Sequence, residues 1–442
     1  MKSFSASLFL CMAVLLLIYL GASAAEAETF DLTLKKLPDQ SQLSDELFRT
    51  THTEYIRFEL RGSSAERRAA VFAEHAKKEP QNYQCDQPFR EVVQLGSEYY
   101  PFVFDSTDLR SNGYDRMYFD RNHNGDLTDD GVIEANPYTG SSSTSIRCEF
   151  PRVDLSLNVD GDPFDYAFFP SVSIRLQSGK LSSAYVLFRS AAYREGEIRL
   201  DGKKLHIALL DFNSNGRFDD QYEVVEGARM SSGEVYPTQG DLFLLDPDTK
   251  NRNIRGYSLT GREERHPLSK TLCVDGNFYD VEVTPSGNKV TLTLSPRPTG
   301  HIKNPNDGYA AVVYGDEGIV KIAGDKDQPV VLPVGDWRLL EYTITPTKKL
   351  STYVSAAGTG DSPSVPVREG ETAEFLFGPP YKGHVNVSEG MGSGTDLDLQ
   401  IIGSGGEICT DLQVNGSKPD SPLFMIATEE GQIVQRGNFK YG

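Results

Sequence analysis

The sequence predicts a mainly β, multidomain protein built from duplicated sheet units and followed by smaller β-sandwich modules. Three observations predict it. Apolar residues alternate with polar ones over short runs such as Asp280-Val-Glu-Val283, Lys289-Val-Thr-Leu-Thr-Leu294 and Gly318-Ile-Val-Lys-Ile322, the period of strands with one wet face. Two phrases occur twice along the chain. Helix signals are confined to one stretch, where Ser63-Ser-Ala-Glu66 offers a capping box ahead of 67–78, a run rich in Ala, Glu, Arg and Lys. The same stretch could instead continue a strand from Tyr55-Ile-Arg-Phe-Glu-Leu60.

The first repeated phrase is Phe119-Asp-Arg-Asn-His-Asn-Gly-Asp-Leu-Thr-Asp-Asp130 and Leu210-Asp-Phe-Asn-Ser-Asn-Gly-Arg-Phe-Asp-Asp220. Each copy places a side-chain oxygen at loop positions 1, 3 and 5, a glycine at 6 and aspartates close behind. Calcium takes six to eight oxygens at about 2.3–2.6 Å and needs a tightly curled loop to gather them. Asp120, Asn122 and Asn124 are the expected inward side chains of the first copy, with the Asp126 carbonyl beside them. Asp211, Asn213, Asn215 and the carbonyl of Arg217 take these roles in the second. Gly125 and Gly216 permit the sharp turn, and Leu127 and Phe218 are expected to anchor the loops in the core.

These loops resemble the calcium loop of EF-hands and dockerins. The likeness departs at position 12, where the family carries a bidentate glutamate and this chain has Gly131 and Tyr222. Asp129 or Asp130, and Asp219 or Asp220, are therefore expected to close the two cages. The approach also departs, because Arg116-Met-Tyr-Phe119 and Leu205-His-Ile-Ala-Leu-Leu210 read as strands rather than as an incoming helix. With few formal charges in each cage, the expected dissociation constant is on the order of 10⁻⁴–10⁻³ M or somewhat tighter.

The second repeated phrase is Asp154-Leu-Ser-Leu-Asn-Val-Asp-Gly161 with Phe164-Asp-Tyr166, and Lys270-Thr-Leu-Cys-Val-Asp-Gly276 with Phe278-Tyr-Asp280. Its Asp-Gly pairs between alternating apolar residues are hairpin signals. The interval from loop to Asp-Gly turn is longer in the second copy, and 227–251 supplies the insertion. Pro, Gly and Ser-rich breaks at 295–300 and 356–366 then set off further β segments. From 367 onward short strands recur at the regular spacing of a small immunoglobulin-like sandwich. The lone Trp337 sits in a β pattern and is expected in a core. These signals divide the chain into a signal peptide (1–27), a first β unit (28–180), a second (181–296), a small β domain (297–365) and the sandwich (366–442).

The first residues carry a short basic start, an apolar run over 8–20 and small residues suited to cleavage, the pattern of a signal peptide. That run is too short to span a membrane, and no later segment is apolar enough. A secreted, periplasmic or cell-surface location follows, with no transmembrane segment. A net charge of −19 argues against nucleic acid as a partner and agrees with a cation-rich exterior. Four cysteines follow the signal, and Cys85 with Cys148 is the expected disulfide if they pair. The layout as a whole resembles a recurrent type of large secreted bacterial β-rich protein of unassigned function with D-x-N-x-N-G loops, a resemblance that implies export and calcium but no reaction.

Seven histidines are scattered without H-x-H or H-E-x-x-H spacing, and no G-x-S-x-G elbow or paired C-x-x-C occurs. Asn386-Val-Ser388 and Asn415-Gly-Ser417 are sequons that carry no weight alone. The resulting expectation is a non-enzymatic, calcium-binding structural or adhesion-type protein whose sandwich contacts an extracellular polymer or surface protein. The rival is an exported polysaccharide hydrolase with a calcium-braced cleft, which requires two facing carboxylates about 5–10 Å apart.

Overall fold

Alternating burial is what turns most of this chain into sheet. The computed structural model describes residues 27–39, 56–58, 63–136, 141–142, 145–225, 233–247, 259–260, 264–326, 328–345, 352–389 and 394–440. Among them the secondary structure is strand apart from one α-helix, Ser63–His75. That settles the ambiguity at 63–78 in favour of helix. The helix stops short of 78 because Lys77 and Lys78 donate their backbone N–H groups to the Gly125 carbonyl, at 2.9 and 3.1 Å, instead of continuing the turn. Residues 1–26 of the expected signal segment lie outside the described residues, and no helix among those described is long and apolar enough to cross a membrane.

Each repeated phrase occupies the same place in a sheet. The first loop follows Arg116–Phe119, in an antiparallel sheet with Phe89–Leu95, Glu98–Asp105 and Ile133–Glu134. The second follows Lys203–Leu210, which lies between Ala192–Leu200 and Leu242–Leu245. Both loops therefore connect strands that pair with each other, Met117 facing Ile133 and Leu210 facing Leu242. The 227–251 insertion contributes Leu242–Leu245 to this pairing.

The Asp-Gly phrases form tight hairpins. Val153–Val159 pairs with the start of Asp162–Gln177, and Thr271–Val274 with Asn277–Val283. Asp160 and Gly161 have φ of 53° and 91°, and Asp275 and Gly276 of 49° and 82°, the left-handed pair that a right-twisted hairpin favours. Residues Val153–Val159 alternate strictly between buried and exposed, so one face joins the core.

Sheets share strands across the expected divisions. Lys180–Ser190 pairs with Asp162–Gln177 across 180/181, and the N-terminal strands Ala27–Asp31 and Thr33–Lys36 join sheets of the second unit through Lys289–Leu294 and Ala192–Leu200. One continuous core, running from Leu32 to Leu292, holds the aromatic contacts Phe119–Phe168 and Phe102–Phe188 at 5.1 and 5.2 Å between ring centres. A further sheet spans Tyr309–Gly315 to Ile408–Gln413, with Tyr353–Ala357 pairing Ile408–Gln413 across 365/366. Trp337 is fully buried in its core and donates Nε1–H to the Pro333 carbonyl at 2.8 Å. Cys85 and Cys148 are free thiols, so the expected disulfide is not formed; Cys148 Sγ instead lies 3.0 Å from the Asn112 carbonyl. Burial pushes the Cys85 thiol up to about 11 and that of Cys148 up to about 12, which keeps both protonated.

Candidate metal loops

Both loops are curled by the same set of hydrogen bonds. Asp120 is buried, and its two carboxylate oxygens accept from Asn124 N at 3.1 Å and Gly125 N at 2.7 Å. Asp211 does the same for Asn215 N at 3.1 Å and Gly216 N at 2.9 Å. Asn122 and Asn213 Oδ1 accept from the residue at position 5, and Asn124 and Asn215 Oδ1 accept from position 7, at 2.6 and 2.8 Å. Each asparagine thus fixes the backbone two residues on, the usual habit of Asn in turns, while the position-1 aspartate reaches four and five residues on.

Positions 4 and 6 have left-handed backbone in both copies: His123 and Gly125 with φ of 56° and 81°, Ser214 and Gly216 with 60° and 82°. Glycine at 6 is required twice over. A Cβ on Gly125 would lie 2.8 Å from the His75 carbonyl oxygen, and one on Gly216 would lie 2.5 Å from Leu157 Cδ1 and 2.9 Å from Gly96 N.

One aspartate faces both asparagines at the same offset in both copies. Asn122 and Asn124 Nδ2 both face Asp129 Oδ2, at 3.5 and 2.8 Å. Asn213 and Asn215 Nδ2 both face Asp220 Oδ2, at 3.0 and 2.7 Å. Positions 3, 5 and 10 therefore converge on one point. Asp130 and Asp219 are turned to other work. Asp130 accepts Arg121 N at 2.8 Å, bracing the start of its loop. Asp219 is held by both Nε and Nη2 of Arg217, at 2.9 Å each, and Arg217 also reaches Asp160 at 3.0 Å. The Asp126 side chain pairs with Lys78 Nζ at 2.6 Å, which holds its carboxyl down to about 2. Leu127 and Phe218 are buried, anchoring their loops as expected.

Three participants carry no signal in the loop sequences. Asp241, fully buried, accepts Phe212 N at 3.0 Å and Asp220 N at 2.9 Å, so it does for the second loop what adjacent Asp130 does for the first. Tyr166, from the hairpin that begins at Asp162, donates its hydroxyl to Asp211 Oδ2. The turn at 95–98 touches both loops: Gly96 N donates to the Asn215 carbonyl at 2.7 Å, and Glu98 lies 3.6 Å from His123. Asp241 stands outside the loop phrase, at the head of the Asp241-Leu-Phe-Leu-Leu-Asp246 strand pattern, and a partner 45 residues away, as Tyr166 is from Asp211, leaves no local trace.

The electrostatics are those of a crowded acidic site. Burial pushes the Asp211 carboxyl up to about 7, with Asp220 adding like charge, against the opposing bonds from Tyr166 and Gly216. Asp241 is raised by burial and by the neighbouring charges of Asp211 and Asp220. Asp130 is raised by burial, with Asp129 and Asp120 contributing. The hydrogen-bond donors that reach Asp211, Asp220 and Asp241 are backbone N–H groups, carboxamides and a phenol, all neutral. Among the described residues, no three His, Cys, Asp or Glu side chains are grouped so as to hold a metal by themselves. Two of the three side chains that converge in each loop are asparagines, which such a set does not include. No family model matches this chain, and no curated protein or solved structure matches it either.

Proposed function

We propose that this chain is an exported, calcium-binding structural protein in which one ion closes each of the two loops and stiffens the duplicated core. The observation that carries the reading is the repeated convergence of positions 3, 5 and 10 beside a buried position-1 aspartate, in two loops 91 residues apart by the numbers of Asp120 and Asp211. A hard dication near Asp129 or Asp220 would replace the two carboxamide N–H groups that now face each carboxylate, drawing on carboxylate and carboxamide oxygens of the kind calcium prefers. It would also relieve the like-charge crowding around Asp211 and Asp241.

The C-terminal region carries the second part of the proposal, an immunoglobulin-like sandwich that contacts extracellular polymers or surface proteins. Lys382–Glu389, Thr395–Ile402 and the hairpin Leu423–Ala427 with Ile433–Asn438 expose Val387 and Val434 at 67% each and Leu423 at 79%. Exposed apolar side chains on these strands are the surface the proposal assigns to that contact.

Thermal melts test the calcium reading. Calcium that binds only the native loops at ten times its dissociation constant stabilises by about 1.4 kcal/mol per loop, so a melt in millimolar calcium should lie several degrees above one in EDTA. Coincident melts would overturn it.

A further inference from the structure

Beside the second loop lies a cavity of about 450 Å³, lined in part by the strands Gly335–Ile344 and Tyr353–Ala357. We propose that this cavity binds a neutral saccharide. This site is separate from the C-terminal contact surface proposed above and goes beyond that reading.

Its walls mix two chemistries. Phe212 and Tyr222 supply buried aromatic surface, while Tyr236 stands at 47% exposure, an aromatic ring that the core does not cover. Between them come an amide from Gln239, a hydroxyl from Thr410 and the carboxylate of Glu341. A pyranose matches this mixture, because its C–H face packs on an aromatic ring while its hydroxyls both donate and accept around the edge. Glu341 is fixed in place, since one carboxylate oxygen accepts Leu259 N at 2.5 Å and Thr260 N at 2.8 Å. With a net charge of −19 on the chain and this carboxylate in the wall, acidic sugars are disfavoured. Among the described residues Glu341 is the one carboxylate lining the cavity, and the proposal is accordingly one of binding rather than of hydrolysis, which uses two.

The cavity is also tied to the loop. Phe212 is loop position 2, fixed through its N–H to Asp241, and the Gln239 carbonyl lies 3.4 Å from Asn213 Nδ2.

The mature chain, in millimolar calcium, should be screened against an array of neutral gluco-, manno-, galacto- and xylo-oligosaccharides, and the strongest hit titrated calorimetrically. Tyr236→Ala is expected to weaken that hit by at least about tenfold, the loss of one aromatic contact, with the melting temperature unchanged. Thr410→Ala, also at an exposed position, is expected to weaken it several-fold. An array on which no neutral glycan binds would overturn the proposal, as would preference for acidic glycans, or both variants binding like the parent. Release of shorter sugars on long incubation would overturn it too, in favour of hydrolysis. A blank array with a calcium-shifted melt would sink the saccharide site alone and leave the loops standing.

Discussion

The two loops share a sequence and a hydrogen-bond pattern but occupy unlike surroundings. In the first, Asn122, Asn124 and Asp129 are exposed, and the bracing carboxylate, Asp130, is next in the chain. In the second, Asn213, Asn215 and Asp220 are half-buried, Asp211 is wholly buried, and the brace comes from distant Asp241. The same curl thus serves as a surface turn in one place and as part of the interior in the other. Position-1 aspartate is the sharpest case, because Asp211 has a phenolic donor, Tyr166, in addition to two backbone N–H groups.

The largest expected effect follows from that difference. Asp211→Ala strands two backbone donors and the buried Tyr166 hydroxyl, and should cost about 3–5 kcal/mol of unfolding free energy, since each orphaned buried group costs about 1–3 kcal/mol. Asp120→Ala strands two backbone donors beside solvent-exposed neighbours and should cost about 2 kcal/mol. Denaturant unfolding of the two variants checks the order, and equal losses would erase the distinction between the loops.

A smaller contrast lies in the glycines. Gly216→Ala meets both a left-handed φ and a Leu157 methyl backed by the Gly96 backbone, and should cost about 3 kcal/mol. Gly131 also has a positive φ, 75°, but open space around it, so Gly131→Ala should cost only the conformational term of about 1 kcal/mol. If the two alanine variants melt together, close packing of the second loop against the 95–98 turn contributes nothing.

These contrasts also show what the sequence makes legible. Local periodicity and turn chemistry are written residue by residue, which is why the strands at 289–294, 318–324 and 335–344, the Asp-Gly hairpins and the curl of both loops can be read in advance. Spacing alone does not show which aspartate of each adjacent pair, Asp129 or Asp130 and Asp219 or Asp220, faces the asparagines, because that depends on what else holds each carboxylate: the Arg121 backbone takes Asp130 and the Arg217 guanidinium takes Asp219. Long-range pairings were invisible for a related reason. Nothing local tells Thr33–Lys36 that its partner is Ala192–Leu200, because the exposed edge of that strand is completed only when the chain returns. Cys85 and Cys148 flank the first loop segment in sequence, yet Cys148 faces the Asn112 carbonyl and both remain thiols, so proximity in the chain did not translate into a bond.

The finest test of the comparison is pH. Burial raises the carboxyls of Asp211 and Asp241, so folding takes up protons. Their contribution to stability is fully present below the unfolded carboxylate value of about 4 and is lost as pH rises through the folded values, toward 7 for Asp211. In excess chelator the protein should therefore melt lower at pH 8 than at pH 5.5, the reverse of the ordinary salt-bridged carboxylate. A bound dication favours the ionised forms, so calcium should release protons on binding, bind more tightly at pH 8, and flatten or invert the slope. The Asp211→Asn variant removes one of the two raised carboxyls at the second loop, and with it the charge that raises the other, while leaving the first loop untouched, and should abolish much of the slope seen in chelator. Melts across pH 5.5–8 with and without calcium distinguish the cases: a slope that survives in the variant would assign the effect elsewhere and remove the electrostatic contrast between the two loops.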